Sequence, residues 1–116
     1  MSDGPVTLGW HWLCELEVSP GRATDAGIAR RVLLELPAVV GLTPVGPPRV
    51  RVDPNGSLVA VVLLAESHAS VHASASTVFV DLFSCRAELE PELCVAVVHR
   101  LYEPERVSSQ VVRRGS

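Results

Sequence analysis

An aliphatic run, Leu63-Leu64-Ala65, passes directly into Glu66-Ser67-His68, with His72 close behind and Cys85 further along the chain. Serine beside histidine suits a hydroxyl nucleophile with a base, paired histidines suit a metal, and cysteine suits proton transfer or attack. The surroundings weigh on each reading. His68 and His72 sit in strand-like sequence with no third ligand nearby, and no Gly-x-Ser-x-Gly elbow frames the serine. A polar hairpin turn with solvated histidines accounts for the same residues. On these residues alone a metal pair, a Ser-His hydrolase and a plain turn all stay open.

Composition narrows the chemistry. The chain has 116 residues, ten basic against thirteen acidic, a net charge of -3 and three cysteines. That length fits one domain, 1-116, with a single core. All ten basic residues are arginine, so there is no side-chain amine for a Schiff base with pyridoxal phosphate and no Walker-type lysine. Any imine chemistry needs a carbonyl from elsewhere. No basic field favours nucleic acid. Cys14, Cys85 and Cys94 are odd in number and lack CxxC spacing, against a disulfide framework or structural zinc. The apolar runs fall short of the ~20 residues that a bilayer span needs. With no basic region in Met1 to Pro5, the chain reads as cytoplasmic and away from the membrane.

The elements that must position the cluster follow from periodicity. Val6 to Val18 alternates as a half-buried strand and stops at Ser19-Pro20-Gly21. Ile28, Val32, Leu33 and Leu36 recur at helical spacing, predicting a helix over Ala23 to Val40 with Thr24 or Asp25 as N-cap, fraying at Pro37 and ending at Gly41. Arg49 to Asp53 alternates up to Pro54-Asn55-Gly56, a hairpin signal, and Leu58 to Ala65 forms the second arm. A polar, small-residue segment, Glu66 to Thr77, precedes a strand over Val78 to Ser84. Leu89, Leu93, Val97 and Leu101 predict a helix over Glu88 to Tyr102, and Arg106 to Val112 a closing strand. The expected order is β-α-β-β-β-α-β. It predicts an α/β (α+β) two-layer sandwich, a mostly antiparallel sheet with two helices on one face.

Leu63-Leu64-Ala65-Glu66-Ser67-His68, His72 and Val80-Asp81-Leu82-Phe83-Ser84-Cys85 resemble the prokaryotic S-adenosylmethionine decarboxylases, self-processing pyruvoyl enzymes. Gly9-Trp10-His11 resembles the family's Gly-Arg-His opening. Pro104-Glu105-Arg106-Val107 with Arg114-Gly115 resembles its closing strand. The likeness implies cleavage between Glu66 and Ser67 into 1-66 (β chain) and 67-116 (α chain). The Ser67 hydroxyl attacks the Glu66 carbonyl, the amide becomes an ester, and elimination then hydrolysis leaves a pyruvoyl group. That group replaces pyridoxal phosphate and metal. It takes the substrate amine as an imine and holds the electrons as carbon dioxide leaves. By position, His72 corresponds to the family histidine that moves the proton in processing, and Cys85 to the cysteine that returns a proton to the α-carbon. Cys14 and Cys94 read as packing, and His68 should point to the opposite face from Ser67. The family is dimeric, which implies a homodimer of processed protomers acting on a small molecule.

The chain departs from the family at three places. The serine that assists cleavage is Val59 here, and Ser57 replaces it only if the preceding turn has gained a residue. The aromatic before the hairpin turn is Val52, followed by Asp53. The stretch after His72, where the family has a second aromatic and a ribose-binding carboxylate, is Ala73-Ser74-Ala75-Ser76. Loss of the adenosine-binding set predicts a smaller substrate, L-arginine or L-ornithine, still feeding polyamine synthesis. The alternatives are S-adenosylmethionine itself, for spermidine synthesis, and an unprocessed, non-catalytic partner subunit. For a basic amino acid, Val52, Asp53, Trp10 and the new Glu66 terminus are the candidate contacts.

Overall fold

The structure is a computed structural model that describes residues 8–85 and 88–115. In chain order it contains β1 (Gly9–Glu17), α1 (Pro20–Ala23), α2 (Ala26–Val39), β2 (Arg49–Val52), β3 (Leu58–Leu64), β4 (Ser67–Ser74), β5 (Thr77–Ser84), α3 (Pro91–Tyr102) and β6 (Arg106–Arg114). The strands form one sheet in the order β2-β3-β4-β5-β1-β6, and every neighbouring pair is antiparallel. This is the expected two-layer α+β sandwich, with six strands rather than five.

The additional strand is β4, which occupies most of the segment read as a polar connection. Its inward residues, Ser67, Ala69, Val71 and Ala73, are buried while His68 and His72 are exposed. Small side chains carry a weak apolar signal, and here pairing with aliphatic β3 and aromatic β5 decides the conformation. The expected helix over Ala23 to Val40 is divided into α1 and α2. Thr24 ends the first and Asp25 caps the second, its carboxylate accepting from the Ile28 N–H at 3.0 Å. Pro37 lies within the last turn of α2, which runs on to Val39. The expected start of β1 at Val6 lies outside the described residues, and β6 extends past Val112 to Arg114.

Alternation places Trp12, Cys14 and Leu16 of β1, Leu58, Ala60 and Val62 of β3, and Val78, Val80 and Leu82 of β5 in the core. Against them pack Leu33 and Leu36 of α2 and Val98 and Tyr102 of α3. Burying a leucine of this kind contributes on the order of 2 kcal/mol. Glu35 bridges the helices, bonding Arg31 of its own helix at 3.1 Å and Arg100 of α3. The opposite face of the sheet carries no helix. There Val59, Val61, Leu63 and Phe79 stand 43%, 37%, 66% and 42% exposed, an apolar strip across β3 and β5.

Candidate active site at the β3–β4 turn

β3 and β4 are joined by a two-residue turn, Ala65-Glu66, closed by the Leu64–Ser67 pair. Glu66 carries φ of 62°, a left-handed conformation that costs a residue with a Cβ roughly 1–2 kcal/mol. Strain therefore sits on the residue before Ser67. Ser67 points toward the helix layer and is 8% exposed, and its Oγ has no hydrogen-bond partner among the described residues. A buried orphan hydroxyl costs roughly 1–3 kcal/mol, which raises the energy of the uncut chain.

Cys85 follows the end of β5, and its Sγ donates to the Glu66 carbonyl oxygen at 2.8 Å. Sequence reasoning found both residues but not their contact. They are 19 residues apart, and the register that pairs His68 with Phe83 brings them together two residues further on. A polarised carbonyl, a neighbouring hydroxyl on the other side and a strained backbone are the parts that an N-to-O acyl shift requires.

His72 is elsewhere. Five residues beyond Ser67 in an extended strand, it is displaced roughly 16 Å along the chain and faces the open side of the sheet. Its direct neighbours are Val59 on β3 and Phe79 on β5, whose ring it meets edge-on at 6.5 Å. A concavity of about 370 Å³ opens beside this pair, with Glu15, Asp81 and Gln110 along its sides. His68 also faces the open side, stacked on Phe83 at 5.7 Å, with His11 against the far edge of that ring at 6.0 Å. Burial lowers the His11 pKa, Asp81 raises it, and Arg114 and His68 lower it further.

The remaining sequence candidates separate. The Ser57 hydroxyl donates to Asn55 Oδ1 at 2.8 Å and lies 3.3 Å from Asp53 Oδ2, held within the β2–β3 turn. The Asp53 carboxylate is bound by Arg51 at 2.8 Å, which holds its pKa below the usual range. Val52 pairs with Leu58, a residue of the helix-side face. Trp12 is fully buried in the core, and Trp10 is half-buried under the Arg113 guanidinium at 5.8 Å. Both tryptophans lie on the face opposite His72. Cys14 and Cys94 are buried, each thiol pushed up to about 12 by burial, as inert packing groups are. Among the described residues no three His, Cys, Asp or Glu side chains gather as metal ligands. No helix among them is long and apolar enough to cross a membrane. Phe79 was not among the sequence candidates, because an aromatic in a strand reads as core.

Residues 10–115 match the family model described as S-adenosylmethionine decarboxylase. The chain is 29% identical to the S-adenosylmethionine decarboxylase proenzyme of Symbiobacterium thermophilum over 95% of its own length and 85% of the relative's. It is 26% identical to the proenzyme of the same name from Brevibacillus brevis, over 78% and 69%. The crystal structure of the adenosylmethionine decarboxylase from Aquifex aeolicus superimposes with a TM-score of 0.79 at 25% identity, covering 95% of this chain and 92% of that one. The match places the chain in the class of pyruvoyl-dependent carboxy-lyases. Within that class, the chain belongs to the S-adenosylmethionine decarboxylase family. The expectation of an arginine or ornithine substrate has no support among these relatives, which carry the name of the sulfonium nucleoside.

Proposed function

We propose that this chain is a proenzyme that cuts itself between Glu66 and Ser67 and then decarboxylates S-adenosylmethionine. The contact between the Cys85 thiol and the Glu66 carbonyl carries the reading, because it engages the one peptide bond that a strained turn and a buried hydroxyl also mark. The residues present fit the implied pyruvoyl group, since its precursor hydroxyl is already shielded from water and has no partner among the described residues. That group supplies an electrophilic carbonyl for the substrate amine and an electron sink for the departing carboxylate.

The chain's own residues do the rest. Ser67 Oγ adds to the Glu66 carbonyl carbon, the C–N bond breaks, and the nitrogen takes up the hydroxyl proton, leaving an ester. Cys85 donates to the carbonyl oxygen as charge builds there. Loss of the Ser67 α-proton then expels the Glu66 carboxylate. His72 is the base for that proton, but in the same chain it stands on the far side of the strand and roughly 16 Å away. The base therefore comes from a second copy. A homodimer joined through the helix-free face would cover Val59, Val61 and Leu63 and carry His72 of one protomer to the turn of the other.

Intact mass under denaturing conditions tests the first step: two fragments split at 66/67, the second blocked by a pyruvoyl group. Carbon dioxide release from S-adenosylmethionine, against arginine and ornithine, tests the substrate. Release from arginine or ornithine alone would overturn it, and a stable single chain would leave only a non-catalytic homologue. Co-expression of Ser67→Ala with His72→Ala tests the shared site. Neither variant should cleave alone, and the His72→Ala chain should be cleaved in the mixture.

A further inference from the structure

We infer that Phe79 is the aromatic wall against which this protein stacks the adenine of its substrate, in place of the aromatics missing at Val52 and after His72. The inference rests on the proposed substrate and names the residue that would recognise its nucleoside half.

Three observations carry it. Phe79 is a large apolar side chain on the helix-free face, 42% exposed, where alternation alone would favour a polar or small residue. Its immediate cross-strand neighbours are His72 and Glu15, so its ring stands between the processing base and a carboxylate. The ring also borders the concavity of about 370 Å³ beside His72, within the size range of small-molecule sites and open on a side that a partner surface would close. The short β4–β5 connection explains the relocation. β4 and β5 meet in a tight turn at Ala75-Ser76, with Ala75 at φ of 55°, so no loop remains to carry an aromatic over the site. An aromatic within the strand does not need that loop. The two tryptophans cannot serve, since both lie on the other face of the sheet.

The test uses the processed enzyme and compares Phe79→Leu, which keeps the apolar bulk, with Phe79→Trp, which keeps a ring. Rates are expressed per pyruvoyl group and dimer content is checked by sedimentation, so that packing and stacking separate. Phe79→Leu should raise KM for S-adenosylmethionine and weaken inhibition by 5′-methylthioadenosine by about tenfold, the lower part of the range for removing one base stack. Its kcat, cleavage and dimer should stay near wild type, and Phe79→Trp should restore KM. Wild-type KM and inhibition in Phe79→Leu would overturn the role of Phe79 while leaving the substrate intact. Equal loss in both variants together with loss of the dimer would assign the ring to the interface and also overturn it. If the wild-type enzyme neither turns over S-adenosylmethionine nor binds 5′-methylthioadenosine, the substrate reading fails first and takes the inference with it.

Discussion

The Cys85 thiol lies 2.8 Å from the carbonyl oxygen of Glu66, across 19 residues of sequence and at the end of a shared β4–β5 register. A donor at that oxygen matters most when the carbonyl becomes tetrahedral. Cys85→Ala should therefore slow self-cleavage roughly 10- to 100-fold, somewhat less than the loss of a strong oxyanion donor. Cys85→Ser, which keeps a donor on a shorter arm, should fall between. Intact-mass time courses of freshly made protein measure both, and cleavage of Cys85→Ala at the wild-type rate would remove Cys85 from processing.

Val59 stands directly opposite His72, where a hydroxyl could hydrogen-bond the imidazole and an isopropyl group cannot. Cross-strand partners of this kind have Cβ atoms about 5 Å apart. Val59→Ser should accelerate cleavage several-fold. Because Val59 is 43% exposed, the cost in stability should stay below about 1 kcal/mol. Unchanged or slower processing, with stability preserved, would show that the site does not use a hydroxyl at this position.

Gly9 is required by Phe83. A Cβ at Gly9 would lie 2.3 Å from Cζ and 2.4 Å from Cε1 of that ring, and the ring is held by His68 on one side and His11 on the other. Gly9→Ala should force the ring aside and destabilise the fold by about 1–3 kcal/mol, as overpacking does. At roughly 4 °C per kcal/mol for a domain of this size, thermal unfolding would register the change, and an unaltered Tm would mean that the ring moves freely.

The larger features of the fold were legible because they depend on strong local signals. The Pro54-Asn55-Gly56 turn has Gly56 at φ of 89° and was read from that triplet after an alternating arm; the stop after α2 has Gly41 at φ of 77° and was read from its glycine. β4 was hidden because Ser67, Ala69 and Ala73 are too small to mark an inward face, so its strand character comes from its neighbours. Glu66, Ser67, His72 and Cys85 were visible as residue types, but not their arrangement. Which face of β4 the helices cover, and which carbonyl a thiol reaches, depends on how segments distant in sequence pack and pair. Phe79 illustrates the limit best, since a phenylalanine between Val78 and Val80 reads as core until the sheet is seen to have one bare face.

His11 ties stability to pH. Burial lowers its pKa from 6.5, with Arg114 and His68 adding to the shift and Asp81 opposing it; Nε2 is buried without a partner among the described residues and Nδ1 lies 3.4 Å from an Arg114 nitrogen. Protonation would place a second positive charge beside that guanidinium. Below about pH 6.5 the unfolded chain therefore binds more protons at this position than the folded one. The contribution is fully present above the unfolded pKa and is lost as pH falls through the lowered, folded value. Denaturant unfolding of wild type and His11→Gln at fixed protein concentration, from pH 8 to pH 5, isolates it. The stability difference, wild type minus variant, should be most favourable at the alkaline end and shrink toward pH 5. A difference that stays flat would mean that folding leaves the His11 pKa unshifted, and one that grows on acidification that His11 is stabilised in its charged form, with Asp81 outweighing both burial and Arg114.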